Sequence, residues 1–579
     1  MKKITIDHLE RVEGCGGITV TIDEKIIRDV KFNIFEGPRF FERLIIGKTP
    51  EEVVSLVPRI CGICSISHRY AALRALEKAL SIQVPRKIKL LRELMHLGEI
   101  IESHSLHIFL LALPDLAGYP SAIAMVPKFN FEVKIGLEMK HFGNRIMEVV
   151  SGRYIHGENP VLGGFGKFPS KQELIMIKER AKQFMPFVLK AVNFINEFSY
   201  PDSPESDMIF VALNPPNNEF GFVGNEILIS DGSKINVQDY KKLTNEFGVS
   251  HSFAKHSLYK GKSYSVGALA RIILLGDRLK GNAGKLFKKY YSPRWKKNPL
   301  YINQAQVIEI LYALERIPIL IDEINKLPDS PIIRYKKESG KSAGAVEAPR
   351  GTLFHYYEVS GGKISYGDIV TPTAQNTEDI EKHCYLFAQD LLNKGQEKEI
   401  EKVIKMVVRA YDPCISCSVH LVKVKKALEH DWRRKLALLK KKNNIIYIGL
   451  GNPERGDDGA GIELALQLKK CGMKNVLLGD NKEKSKIFLK SKSNWCIIYL
   501  DAVDFGGSPG KITIIPLHYV LLNSVLSHRL SPFLSSQFTY EHIKNSFLLA
   551  IQPGSIEKKK EISPPVRSAI KEIINYLKN

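Results

Sequence analysis

Two cysteine pairs constrain this chain more than anything else in it. They read Arg59-Ile-Cys61-Gly-Ile-Cys64-Ser-Ile-Ser-His68 and Asp412-Pro-Cys414-Ile-Ser-Cys417-Ser-Val-His420. A C-x-x-C spacing lets two thiolates converge on one ion from a turn or a helix start, and two such pairs make a four-thiolate site. Soft thiolates select zinc, copper(I), nickel or iron–sulfur iron over harder cations. Spacing alone leaves open a structural zinc site, two unrelated pairs, or a redox dithiol. The dithiol is least favoured, because neither pair opens the helix of a thioredoxin-like βαβ unit.

At 579 residues the chain is past the size at which one core keeps growing, so two or more domains are expected. Its 44% hydrophobic and 25% charged fractions exclude a disordered or fibrous chain. The net charge of +22 could favour nucleic acid or an acidic membrane face. Much of it is local, since residues 421–442 hold nine Lys or Arg against Glu429 and Asp431. Eight cysteines are too few for a disulfide framework. Cys15, Cys384, Cys471 and Cys496 stand alone and read as buried apolar residues. The apolar region from His104 to Pro127 is broken by Pro114, Asp115 and Pro120, so no membrane span is expected. With no apolar run at the N-terminus, a reducing, cytoplasmic compartment is expected.

The first 35 residues alternate in the strand manner and read as an antiparallel hairpin. From about Pro50 the apolar spacing turns helical, through KIKLLRELMHLGEIIESHSLHIFLLAL and QAQVIEILYALERIPILIDEI among others. A short hairpin is expected at 352–370. Residues 1–420 therefore predict a mainly α domain, a long-helix bundle with small peripheral β hairpins. After the basic linker 421–442 the pattern changes. NIIYIGLGNP, GAGIELALQLKK and NWCIIYLDAVD give strand, glycine turn, helix and strand, which predicts a three-layer α/β domain over 443–579.

Further segments accompany the cysteine pairs: Glu10-Arg11-Val12-Glu13-Gly14, Gly37-Pro-Arg-Phe-Phe-Glu42, Ser103-His104 with His107, and Gly152-Arg153 with His156. Glu347-Ala-Pro349-Arg350-Gly351 and Pro372-Thr373-Ala-Gln-Asn376 complete the series. Together, in this order, they resemble the large, catalytic subunit of nickel–iron hydrogenases. The resemblance implies nickel on Cys61, Cys64, Cys414 and Cys417, with Cys64 and Cys417 bridging to an iron that carries carbonyl and cyanide ligands. It implies Cys414 or Cys61 as first proton acceptor and Glu13 as the next carrier. Arg350 is then a fixed cation over the open position, and Thr373 a hydrogen-bond donor to a cyanide. Glu42 and His420 match residues that hold magnesium or iron near the end of that domain. His68, His104, His107 and His156 read as structural histidines. Cys15 stands where the family usually has histidine.

The resemblance also implies a mature end at His420, after removal of a short extension by a dedicated endopeptidase. Here Ile448-Gly449-Leu-Gly451-Asn452-Pro-Glu-Arg-Gly456-Asp457-Asp458 follows, with Leu500-Asp501-Ala-Val-Asp504 and Leu526-Ser527-His528 beyond. A dinucleotide loop would need a third glycine at 454, where Glu stands. The segments instead resemble hydrogenase maturation endopeptidases of the aspartic type, whose metal-contacting positions fall on Asp458, Asp501 and His528. The bland alternative makes Asp458 a helix cap. A cut between His420 and Leu421, in cis, in trans or not at all, is the question this fusion raises.

Electrons must leave a nickel–iron centre, and the chain holds no further four-cysteine set. An iron–sulfur small subunit is therefore implied as partner, with electron-acceptor subunits linked to nicotinamide, deazaflavin or ferredoxin, and nickel-insertion accessory proteins. No nucleic-acid partner is expected. The competing readings are a non-catalytic hydrogenase-like subunit of a larger redox complex and a zinc-stabilised nucleic-acid binder.

Overall fold

The alternating N-terminal run folds as three antiparallel strands, one more than the expected hairpin: β1 (Lys2–Ile6), β2 (Gly16–Asp23) and β3 (Ile26–Ile34). The computed structural model describes residues 2–35, 41–204, 206–336, 338–418, 432–442, 444–454, 456–478, 495–503, 508–516, 546–554 and 561–578. The chain divides into two units, Met1–His420 and Leu421–Asn579.

The core of the first unit is helical. Its long helices are α1 (Ser65–Ala79), α2 (Arg86–Ser105), α3 (Ala122–Ser151), α4 (Lys171–Asn196) and α5 (Ile302–Lys326). Helix α4 starts where its pattern says it should. Ser170 accepts the Glu173 N–H while the Glu173 carboxylate accepts the Ser170 N–H, a reciprocal capping box. Helix α2 runs on through a π-helical stretch, Leu106–Ala112, into Leu113–Ala117. Pro114 does not break it, because it lies in the first turn after that stretch, where a lost N–H costs little. The run Arg86–Ala117 is thus long and apolar enough to cross a membrane by length and composition, but 67% of its most apolar window is buried inside the fold.

Strands β4 (Phe247–Val249) and β5 (Ser252–His256) form a small hairpin. A second three-stranded antiparallel sheet follows: β6 (Gly340–Ala348), β7 (Gly351–Ser360) and β8 (Lys363–Val370). Sequence predicts only β7 and β8. Strand β6, GKSAGAVEA, is too small-residue-rich to read as a strand, and the reason is packing on α1. A Cβ on Gly344 would stand 2.4 Å from Ala75 N and 2.6 Å from Ala71 O, so only glycine lets the strand lie on the helix backbone. Helices α6 (Pro372–Asn393) and α7 (Ile400–Ala410) complete the unit.

In the second unit, α8 (Trp432–Lys442) buries Trp432, Leu436 and Leu439 in the same core as the following sheet. Half of the basic stretch expected as linker is therefore part of this fold. The sheet comprises β9 (Ile445–Gly449), β10 (Val476–Leu478), β11 (Cys496–Ala502), β12 (Ile512–Pro516) and β13 (Ser546–Ile551), in the order β10-β9-β11-β13-β12. Only the β12–β13 pair is antiparallel. Helices α9 (Ala460–Lys470) and α10 (Pro564–Lys578) share a core with Tyr447, Ile498 and Leu500, and Ile446, Ile448 and Ile497 on the opposite sheet face are buried as well. Of the isolated cysteines, Cys384 and Cys496 are buried; Cys15 and Cys471 are exposed, against expectation.

Candidate metal centre

Each cysteine pair sits on a short turn that aims both sulfurs the same way. Cys61 ends the 3₁₀ turn Val57–Ile60, and Cys64 is the residue that starts α1. The N–H groups of Ile63 and Cys64 point at the Cys61 sulfur, at 3.3 and 3.4 Å, and favour its thiolate. Cys414 is fixed from α6, because its N–H donates to Thr373 Oγ1 at 2.9 Å, and one helical turn, Ile415–Ser418, carries Cys417.

The four sulfurs converge. Cys61 and Cys414 Sγ are 3.2 Å apart, Cys64 and Cys417 3.3 Å, and Cys414 and Cys417 3.0 Å. All four residues are at most 5% exposed, so a thiolate here has no bulk water to solvate it. The consequence is unequal titration. Hydrogen bonds from Cys414, then Cys417 and Cys64, hold the Cys61 thiol well below its ordinary range, while burial pushes Cys414 and Cys417 well above theirs. The donor set fits a soft divalent ion. Its four ligand atoms lie within 4.8 Å of one another, close enough for one such ion to be held by all of them.

Arg350 lies within electrostatic reach of this cluster. Its Nε donates to Asp412 O at 2.7 Å and one terminal nitrogen to Asp412 Oδ1 at 2.9 Å. Nη1 is buried with no hydrogen-bond partner among the described residues, as is Asp412 Oδ2. Asp412 adopts φ +49°. A buried unpaired guanidinium nitrogen beside thiolates is the kind of orphan that a ligand at this centre resolves. Burial by itself would lower the Arg350 pKa, but the charges of Asp412 and then of the cysteines outweigh it and raise the pKa well above normal, so the cation is permanent.

Glu13 reaches the centre from the other side. Its carbonyl accepts the Ile415 N–H at 3.0 Å, its Oε2 accepts the Ser416 N–H at 3.2 Å, and the Ser416 hydroxyl donates to its Oε1. Burial, and then the Cys61 charge, raise its pKa against the pull of the Ser416 hydrogen bond. Glu42 Oε1 accepts the Ile369 N–H at 2.9 Å and lies 3.9 Å from Lys255 Nζ; burial raises its pKa. His420, its sequence-matched companion, and Leu421 lie outside the described residues.

Sequence treats His68 as structural, and the structure gives it more to do. Its Nε2 is 3.7 Å from Cys417 Sγ, and its Nδ1 is 3.0 Å from His355 Nε2, whose Nδ1 meets Tyr357 Oη at 2.5 Å. His355 and Tyr357 share one face of β7, where period-2 alternation points both at α1; nothing in the local sequence marks them. His104 pairs with Glu309 at 2.8 Å, and His107 bridges Gln306 and the Arg409 carbonyl, both inside the core. His156 is half-buried, with its N–H on Ser65 Oγ. Beneath Arg350, Arg271 holds the Glu347–Pro349 turn through Glu347 Oε2, Ala348 O and Pro349 O, at 2.9–3.1 Å.

In the second unit Asp501 is the penultimate residue of β11 and lies beside Gly451 and Asp458. Gly451 has φ +111°, and a Cβ there would stand 1.8 Å from Asp458 O and 3.4 Å from Asp501 Oδ1, so the turn closes only with glycine. Asp501 Oδ2 is buried without a partner among the described residues, and burial, then the Asp458 charge, push its pKa up to about 8. Asp458 does not cap α9, whose N-cap is Gly459. Asp457 is structural: it accepts the Gly554 N–H at 2.7 Å and the Ser563 N–H at 2.6 Å. His528 and Asp504 lie outside the described residues.

Known proteins match the first unit. The family described as "Nickel-dependent hydrogenase" matches residues 39–132 and 231–420. The α subunit of sulfhydrogenase 1 from Pyrococcus furiosus is 41% identical over 422 residues, 73% of this chain and 98% of that protein. The corresponding subunit of the vhu F420-non-reducing hydrogenase from Methanocaldococcus jannaschii is 29% identical, over 67% of this chain and 99% of its own. A solved NAD+-reducing [NiFe]-hydrogenase in its H2-reduced state superposes with a TM-score of 0.68 at 27% identity, covering 72% of this chain and all of that one. With the four converging thiols already in place, these matches settle the family: the chain belongs to the nickel-dependent hydrogenases, as a large subunit.

Proposed function

We propose that this chain is the catalytic subunit of a multi-subunit hydrogenase, with Cys61, Cys64, Cys414 and Cys417 holding nickel and iron. The observation that carries the reading is the buried four-thiol cluster within electrostatic reach of Arg350, whose Nη1 has no hydrogen-bond partner among the described residues. When bound, such a centre supplies a soft redox site at which dihydrogen is polarised and split, and the motif resemblance implies carbonyl and cyanide on the iron. The protein's own residues supply the rest. Cys414 Sγ takes a proton, since its thiol is the form that burial favours. Glu13, its pKa raised by burial and then by Cys61, and joined to the Cys414 turn through Ser416, relays it outward. Arg350 holds a fixed positive charge over the reacting position. Thr373 accepts from Cys414 N–H, leaving its own hydroxyl proton to donate to an iron-bound ligand. His68 orients Cys417. Glu42, with His420, holds magnesium or iron and braces the end of the domain. An iron–sulfur small subunit, together with electron-accepting partners, completes a cytoplasmic enzyme.

The second unit is read as a maturation endopeptidase, in which Asp458, Asp501 and His528 bind nickel and direct a cut at His420–Leu421. The support is Asp501 Oδ2, buried, within electrostatic reach of Asp458 and without a hydrogen-bond partner among the described residues. Eleven residues, 421–431, separate the cut from α8 and reach about 36–40 Å when extended.

One experiment tests both halves. The chain is produced with its partner subunits in nickel-replete and nickel-starved cells, and intact mass, nickel, iron and hydrogen uptake are measured. Nickel-bearing, hydrogen-oxidising protein with a nickel-dependent fragment ending at His420, abolished by Asp501→Ala, is expected. A chain without nickel would instead make it a non-catalytic subunit, and a full-length active chain would remove the processing role.

A further inference from the structure

The first unit carries a second convergence of ligand-type side chains. His251 precedes β5, His256 ends it, and Glu378 and Glu381 are one turn apart on α6. One ligand atom from each of His251, His256 and Glu381 lies within 4.8 Å of the others. His251 Nε2 is 2.7 Å from Glu381 Oε1, His256 Nδ1 is 2.7 Å from Glu378 Oε1, and the two rings meet edge-on with centroids 5.5 Å apart.

Two features distinguish this cluster from an ordinary ion pair. Nδ1–H of His256 donates to the Glu378 carboxylate, which fixes the tautomer that carries a lone pair on Nε2. That atom is buried, on a side chain with 0% exposure, and has no hydrogen-bond partner among the described residues. A carboxylate behind an imidazole is the outer shell that metal-binding histidines use, and a buried nitrogen left unpaired is destabilising. Charge is the second feature. Glu378 and Glu381 form no ion pair with any Lys or Arg among the described residues, and Lys255, on the opposite face of β5, is engaged by Glu246 at 2.9 Å.

We propose that His251, His256 and Glu381 form a further metal site for a divalent first-row transition ion of the zinc type, with Glu378 orienting His256. Two imidazoles and one carboxylate suit such an ion and leave a fourth position for water. The site is a brace. Glu381 also accepts the Phe32 N–H of β3 at 2.7 Å, so an ion here ties the β4–β5 hairpin, β3 and α6 together. Thr373, the residue that fixes Cys414, lies in the first turn of α6, about two turns before Glu381.

The full chain, freed of loosely held metal on a chelating resin, is titrated with Zn²⁺ alone by calorimetry and with Co²⁺ followed by visible absorption. Zinc also binds thiolates and carboxylates elsewhere, so the deciding quantity is the difference between the chain and its variants. The unaltered chain is expected to bind one equivalent more than His251→Ala and His256→Gln. The cobalt difference spectrum should lack the sulfur-to-cobalt charge transfer that the cysteine centre adds. Glu378→Gln should keep the site and weaken it by about 10–100-fold. His251 is the outermost ligand, so its variant disturbs packing least; if His256→Gln does not fold, His251→Ala and Glu378→Gln still decide. Equal stoichiometry in the chain and His251→Ala, or unchanged affinity in Glu378→Gln, overturns the proposal.

Discussion

Glu13 and Cys414 form a parallel β-bridge, joining the loop after β1 to the turn that follows α7. The bridge fixes the Glu13 carboxylate against the Ser416 N–H and hydroxyl, one residue from a sulfur of the centre. The two ends of the first unit are thus stitched beside the cysteine cluster. A carboxylate so placed, with its pKa raised by burial and by Cys61, is suited to accept and release that proton.

Replacing Glu13 with Gln keeps the bridge, which is backbone, and removes the titrating oxygen. Nickel and iron content should stay at the level of the unaltered chain while hydrogen oxidation and hydrogen–deuterium exchange both fall by about 10²-fold or more. Exchange activity retained in full would assign the proton to another path.

Arg350→Lys preserves the charge but not the fork that grips Asp412 through Nε and a second nitrogen. Turnover should fall by about 10–100-fold with metal content unchanged. A lysine variant as fast as the parent would mean that only charge matters here, and not its placement.

Glu99 predicts a pH dependence of stability. It is fully buried, it accepts the Ile66 and Ser67 N–H groups at the start of α1, and burial pushes its pKa up to about 8. A raised carboxyl pKa means the folded state binds the proton more tightly than the unfolded one. Stability from this group is present below about pH 4.5 and is lost as pH climbs to about 8, at up to ~1.4 kcal/mol per unit. Thermal unfolding of the first unit from pH 5 to about pH 8 should show this slope, and Glu99→Gln should flatten it. A slope that survives the substitution belongs to another group.

Gly344→Val tests the packing of β6 on α1. The added atoms meet the backbone of Ala71 and Ala75, which cannot yield without moving the helix that Cys64 begins. A loss of about 3 kcal/mol or more is expected, read as a lower Tm of the first unit together with reduced nickel retention. Gly344→Ala should lie between the two; an unchanged Tm in the valine variant would show that the sheet can lift away.

The helices of the first unit were legible in sequence because their apolar spacing repeats over many turns, as in α2 and α5. The N-terminal strands alternated visibly. Strand β6 was not legible, since Gly, Ala and Ser carry no period and owe their place to the helix beneath them. Trp432, Leu436 and Leu439 were hidden in a run of nine basic residues, where charge masks a three-position apolar stripe. At the centre, the cysteines stood out by spacing. His355 and Tyr357 did not, because a histidine inside a strand looks the same whether or not a partner waits across the fold.

Residue order alone displayed the ligand-type groups: four thiols in two close pairs, an arginine after proline, a glutamate in the N-terminal loop, and an abrupt change of pattern near residue 442. These are covalent facts, fixed by identity and spacing. Which groups face each other, and which lack a partner, came only with folding. Arg350 within electrostatic reach of the thiols, Cys417 beside His68, and His256 close to Glu381 join residues distant in sequence. Burial, which sets their pKa values and their need for a ligand, exists only once the chain has closed around them.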